Sequence, residues 1–222
     1  MFTGIDMGLA RQLLIYRQKA KEVKTMSRIL AFNGSPHRSG NTSMALKEVL
    51  EVLNTEGVET ELIQLGGVKI TPCMGCRKCW ETKDEKCIIN SDVVNELIAK
   101  MKESDGFIIG SPVYTSNVTA EVKAFMDRTN FVSKANGNLF KGKIGAAVVV
   151  ATKTGATFAY SAINFMFGIS QMITVGSTYW NSAFGKHPGD IMEDIEGIES
   201  LHVLGSNIAE LIKMLDREEN YG

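Results

Sequence analysis

The residues best placed to do chemistry are the four cysteines. Cys73-Met74-Gly75-Cys76-Arg77-Lys78-Cys79 reads C-x2-C-x2-C, and Cys87 follows after seven further residues. Three thiolates at intervals of three, on a loop loosened by Gly75, can converge on one iron–sulfur cubane, and a distant fourth completes the ligand set. Structural zinc usually pairs two C-x2-C knuckles, or one knuckle with two histidines. The three histidines (His37, His187 and His202) lie far from the cysteines in sequence. The spacing therefore favours an iron–sulfur cluster over zinc and leaves free redox thiols as the remaining reading. Arg77, Lys78 and Lys86 flank the cysteines. They could offset a negative cluster or dock an acidic carrier such as ferredoxin, and a plain solvated face accounts for them equally well. Trp80, beside Cys79, either shields such a group or simply packs.

A second stretch, Asn33-Gly34-Ser35-Pro36-His37-Arg38-Ser39-Gly40-Asn41-Thr42, lies between the apolar run Arg28–Phe32 and apolar residues at helical spacing over 43–53. It reads as a loop from a strand end into a helix start, where unpaired N–H groups and the positive end of the helix dipole suit a phosphate. Ser35, Ser39, Asn41 and Thr42 add donors, and His37 and Arg38 add charge. A Walker loop is excluded, because five residues separate Gly34 from Gly40 and Asn41 stands where the lysine belongs. The G-x-G-x-x-G fingerprint is absent as well. The competing reading is an ordinary turn with Asn41 or Thr42 as N-cap.

These residues must be positioned by the elements around them. Strands are expected at 28–32, 58–65, 105–110, 143–151 and 173–180. Helices are expected at 43–53, 91–101 (capped by Ser91), 119–128, 156–172 and 191–217, the last with a break near Gly197 or Gly205. This alternation predicts an α/β fold, a doubly wound five-stranded parallel sheet. In strand order 2-1-3-4-5, ligands bind at the switch point flanked by the carboxyl ends of strands one and three. The loops Ser111–Asn117 and Thr152–Thr157 would then join the first loop around a flat mononucleotide, and 181–189 is read only as a Gly/Pro/His connection. Residues 66–91 are a cysteine-bearing insertion after strand two. Ile5, Leu9, Leu13 and Tyr16 predict an N-terminal helical extension over 1–26, ahead of one domain over 27–222.

Lys and Arg number 24 against 25 Asp and Glu, which argues against a general nucleic-acid surface. No apolar run reaches the ~20 residues that span a bilayer, and no signal peptide is visible, so a cytoplasmic protein without membrane or nucleic-acid partners is expected. In that reducing compartment the cysteines are metal ligands or redox thiols rather than disulfides.

Gly-Ser-Pro-x-x-x-Gly-Asn-Thr over 34–42, Ser-Pro-Val-Tyr over 111–114 and the glycine loop after the fourth strand resemble the flavodoxin-like NADPH-dependent FMN reductase family. The resemblance covers about residues 27–215. It implies a flavodoxin-like fold and FMN, with Ser35, His37, Ser39, Asn41 and Thr42 at the phosphate and Arg38 supplying charge where relatives often carry arginine at 37. It also implies that Pro112, Val113, Tyr114, Thr115 and Asn117 lie near the flavin ring, with a looser match at Thr152, Lys153, Thr154 and Gly155. With C-x2-C-x2-C inside such a chain, the resemblance narrows to the iron–sulfur flavoproteins. That implies a [4Fe–4S] cluster on Cys73, Cys76, Cys79 and Cys87, and a homodimer or homotetramer that brings cluster and flavin together across a subunit contact. The expected function is electron transfer between cluster and FMN, with ferredoxin or NAD(P)H as donor and no catalytic acid or base required. Two alternatives stand beside it: an NAD(P)H-dependent FMN or quinone reductase without a cluster, and a non-catalytic redox sensor.

Overall fold

The computed structural model describes residues 26–221, so the helical extension expected over 1–26 lies, but for Met26, outside the described residues. In chain order the elements are β1 (Arg28–Asn33), α1 (Asn41–Thr55), β2 (Glu59–Gln64), α2 (Lys78–Thr82), α3 (Val94–Glu103), β3 (Gly106–Pro112), α4 (Ala120–Ala135), β4 (Ile144–Ala151), α5 (Ala156–Ile169), β5 (Ile173–Thr174), β6 (Ser182–Phe184), a 3-10 turn (Asp190–Glu193) and α6 (Ile195–Tyr221).

Side chains alternate across a strand, so an uninterrupted apolar strand must be covered on both faces. In β1, Leu30 and Phe32 enter one core while Ile29 and Ala31 enter the other. The first core lies under α3, α4 and α5. There Phe32 packs on Phe107 and Phe125, with centroids 6.1 and 4.8 Å away, and Phe107 meets Phe140 and Phe167 edge-on. The second core lies under α1 and α6, through Leu46, Val49, Leu53, Leu204 and Ile208. The strand path is β2-β1-β3-β4-β5, all parallel, as the alternation predicts.

Three elements depart from expectation. The last strand is split, because β5 pairs with the start of β4 and β6 with its end. Between them the chain leaves the sheet around buried Asn181, whose side chain accepts from Ser177 Oγ (2.7 Å) and donates to the Val175 carbonyl (3.3 Å). Part of the expected 181–189 loop is thus strand. Helix α4 runs seven residues beyond Arg128 and stops only at Asn136-Gly137, where Gly137 has φ +82°. Helix α6 is unbroken, and its Gly205 packs so closely on α1 that a Cβ would lie 2.8 Å from Val52 Cβ.

The end of β2 braces the loop that follows β1. Asn33 O accepts from the Leu65 and Gly66 amides (2.8 and 3.0 Å), and Gln64 Nε2 donates to the Ser35 carbonyl (2.6 Å). A Cβ on Gly66 would sit 2.2 Å from the Ser35 carbonyl carbon, and backbone cannot yield as a flexible side chain can. Gly66→Ala is therefore expected to cost about 2–3 kcal/mol in urea unfolding; an unchanged midpoint would show that the Ser35 segment moves freely.

Candidate functional site

The carboxyl ends of β1, β3 and β4 frame an open pocket of ≈ 230 Å³. Helix α1 begins beneath it without a side-chain cap: Gly40, not Asn41 or Thr42, is the N-cap residue. Among the described residues the amides of Asn41, Thr42 and Ser43 have no acceptor, and Thr42, which lines the pocket, has no side-chain hydrogen bond. This end of a fifteen-residue helix presents unused donors and the positive dipole end. No carboxylate lines the pocket, while His37 and Lys186 do. Unspent donors without opposing acid suit a phosphate monoester.

The loop's own side chains build its shape. Asn33 Oδ1 accepts from the Ser35 amide (3.1 Å), and Ser35 Oγ accepts from the His37 amide (3.2 Å). Both polar atoms of Asn41 serve the chain rather than the pocket: Nδ2 donates to the His187 carbonyl and Oδ1 accepts from the Gly189 amide, each at 2.8 Å. Asn41 thereby pulls 185–189 over the pocket, where Gly185, Lys186 and Pro188 form a wall that the sequence reading left without a role. Asp190 completes the loop by accepting from the His187 and Lys186 amides, and these bonds, that of His187 foremost, hold its carboxyl below the usual range.

Beyond β3, Tyr114 and Asn117 exchange backbone hydrogen bonds of 2.8 and 3.0 Å across a two-residue turn. Thr115 and Ser116 stand at φ +47° and +57°, a conformation that a β-branched residue rarely adopts, and this turn presents the exposed Tyr114 ring to the pocket. Gly155, at φ +86°, backs the turn: a Cβ there would lie 3.0 Å from Ser116. Of the residues singled out from sequence, Ser35, His37, Asn41, Thr42, Pro112, Val113, Tyr114 and Thr152 line the pocket. Arg38, Ser39, Thr115, Asn117, Lys153, Thr154 and Gly155 lie outside its lining.

The four cysteines, all free thiols, line one narrow cavity on the insertion. Gly75 (φ +65°) and Arg77 (φ +57°) turn the knuckle, and the short helix α2 carries Cys79. Asn95 brackets Cys87, accepting from its amide (2.8 Å) and donating to its carbonyl (2.9 Å). The base of the insertion is closed by a buried ion pair in which Arg128 Nη1 meets Asp92 Oδ2 at 2.5 Å, both side chains being fully inaccessible. Arg128 also donates to the carbonyls of Thr71 (3.2 Å) and Ile89 (2.8 Å), on either side of the cysteines. Burial alone would push the Asp92 carboxyl up; the Thr71 amide, Arg128 and the Val94 amide outweigh it and hold it low. Asp92, rather than Ser91, takes the Val94 amide at the head of α3. Sequence reasoning passed over Arg128, although it interrupts the buried stripe Phe125, Thr129 and Val132 of α4.

Burial pushes the Cys79 thiol up, and the neighbouring Cys87, Cys76 and Cys73 add to the effect. Four thiols gathered on one cavity suit a shared cationic centre. Among the described residues no three ligands reach single-ion geometry. A cubane does not require it, since each sulfur takes a different corner. The enclosed space, ≈ 20 Å³, is smaller than a cubane. Residues 72–76 make no backbone–backbone hydrogen bond, and 74–77 are exposed, so an outward shift of this segment around a cubane would break no backbone pairing.

Fold and pocket define a flavodoxin-like flavin oxidoreductase. The profile of the family described as NADPH-dependent FMN reductase matches residues 27–187. An iron–sulfur flavoprotein of Methanocaldococcus jannaschii is 37% identical over 197 residues, spanning 86% of this chain and 100% of its own length. The crystal structure of RosB with a bound 8-demethyl-8-formylriboflavin-5′-phosphate intermediate superposes with a TM-score of 0.68 at 16% identity, over 86% of this chain and 81% of that one. An archaeal flavodoxin gives a TM-score of 0.56 at 19% identity, over 85% and 99%. The chain belongs to the NADPH-dependent FMN reductase family and, over 86% of its length, resembles an iron–sulfur flavoprotein. Among the described residues no helix is long and apolar enough to cross a membrane.

Asn41 acts on the pocket through the 185–189 loop. Losing two such bonds, each worth about 0.5–1.5 kcal/mol, should weaken FMN binding by roughly tenfold in Asn41→Ala. Fluorescence titration with FMN measures it, and an unaltered Kd would remove the loop from the site.

Proposed function

We propose that this oxidoreductase passes electrons between a [4Fe–4S] cluster held by Cys73, Cys76, Cys79 and Cys87 and FMN bound at the carboxyl ends of β1, β3 and β4. The observation that carries it is the convergence of four cysteines, spread over 73–87, on one cavity closed by a buried arginine. FMN takes one or two electrons and a cluster one at a time, so the bound pair can join or split electron pairs between unlike carriers. The chain's part is to bind and to position. The α1 amides and Thr42 would hold the phosphate, Pro112 and Val113 would flank the ring, and Tyr114 would cover it. Helix α4 connects the two sites. Thr119, at its head, donates to the Gly34 carbonyl (3.0 Å) behind the first loop, and its later turns line the cysteine cavity.

Ferredoxin, or NAD(P)H in keeping with the family's description, is the proposed donor, and the cytoplasm, where thiols stay reduced, is the proposed compartment. A homodimer or homotetramer is supported by Phe158, Phe165 and Ile169, which α5 leaves 67%, 76% and 55% exposed. The family's description favours a second reading, an NAD(P)H-dependent FMN or quinone reductase whose cysteines hold no cluster.

Anaerobically purified and reconstituted protein should show flavin bands over a broad thiolate-to-iron absorption, with about four irons and four sulfides per chain, and should sediment as a dimer or tetramer. Cys→Ser at 73, 76, 79 or 87 should each remove most of the iron while the far-ultraviolet dichroism persists. Flavin bands alone, with iron near zero after reconstitution, would select the second reading.

A further inference from the structure

We infer that Arg128 tunes the potential of the cluster, its Nε–H being reserved for a sulfur of that group; the inference rests on the function proposed above. Arg128 is 1% exposed, and it lines the cysteine cavity. Arg128 Nη1 donates to Asp92 and the Thr71 carbonyl and Nη2 to the Ile89 carbonyl, bonds that close the base of the insertion. Its Nε is buried and has no acceptor. A buried N–H on a cation, left unmatched, is costly and is retained where an acceptor arrives with a ligand. Three other buried side-chain atoms lack partners among the described residues (Arg28 Nε, Ser43 Oγ and Asn138 Oδ1), but none belongs to a residue lining either cavity. Closing the loop requires only the Nη fork. An idle Nε on a residue that lines the cysteine cavity is what a purely structural arginine leaves unexplained.

The electrostatics give the direction. A cluster on four thiolates is anionic, and reduction adds one more negative charge. A donor hydrogen bond to sulfur favours the reduced form and raises the potential. Asp92, the counter-ion of Arg128, opposes this from behind. Arg128→Lys keeps the charge and loses the Nε–H, so the potential should fall. Asp92→Asn keeps the Nε–H and frees the charge, so the potential should rise. Each shift should change the reduced-to-oxidised ratio at fixed poise about tenfold, ~59 mV for one electron.

The experiment is an EPR-monitored redox titration of the flavin-loaded protein and both variants, with iron and sulfide assayed on each sample. Pulsed EPR of the reduced cluster in 15N-arginine-labelled protein accompanies it. Opposite shifts, together with a nitrogen coupling lost in Arg128→Lys, are the expected result. A fully loaded Arg128→Lys with wild-type potential overturns the inference. So does a coupling that persists in that variant, which would belong to Arg77. Should Arg128→Lys fail to hold iron, Asp92→Asn and the wild-type coupling decide, and the absence of either effect overturns the role. Wild-type protein without iron after reconstitution would instead sink the proposed function itself.

Discussion

Strand β1 is hydrogen-bonded on both edges, to β2 on one side and β3 on the other. Everything else follows from that placement. Parallel strands need long crossovers, and right-twisted strands close them with one hand, so the chain leaving β1 for β2 and the chain arriving at β3 must lie on opposite faces. Helix α1 accordingly covers one core and α3 the other. No helix can then cap the carboxyl ends of β1 and β3, and a crevice opens between them.

The crevice is finished by contacts that trade local freedom for shape. Gly66 lets the β2 end lie against Ser35, Asn41 holds 185–189 in place, and Gly155 backs the strained Thr115-Ser116 turn. None of these residues need touch a ligand to set where the free amides of α1 point. The pocket is therefore a rigid frame around unspent donors, which suits binding and orienting a cofactor rather than proton chemistry.

The cysteine insertion is built on different terms. It contributes little to the sheet cores, and residues 72–76 make no backbone–backbone hydrogen bond. Its order rests on polar ties at the base, namely Arg128 with Asp92, Thr71 and Ile89, and Asn95 with Cys87. Removing one member of such a buried pair is far more damaging than never having had it, because the survivor stays charged and buried. A firmly tied base with an exposed knuckle above it would let the segment hold the proposed cluster without disturbing the sheet.

The sequence by itself determined the sheet order, the loop after β1 and the cysteine set. Alternating burial, helical spacing and C-x2-C-x2-C are local patterns that survive in one dimension. It misjudged the last strand, since whether Ile173–Trp180 stays in the sheet depends on where Asn181 finds partners, and it stopped α4 seven residues early. What only the tertiary structure decided is which donors remain free. Asn41, expected at the phosphate, lines the pocket with both polar side-chain atoms bonded to the 187–189 segment, while Lys186 comes to the pocket from 145 residues beyond Asn41. Arg128 joins the cysteines from 41 residues beyond Cys87, on a helix whose pattern marks it only as a charge on an apolar stripe. Hydrogen-bond partners are satisfied in three dimensions, and a residue's spare capacity is what remains once the fold has taken its share.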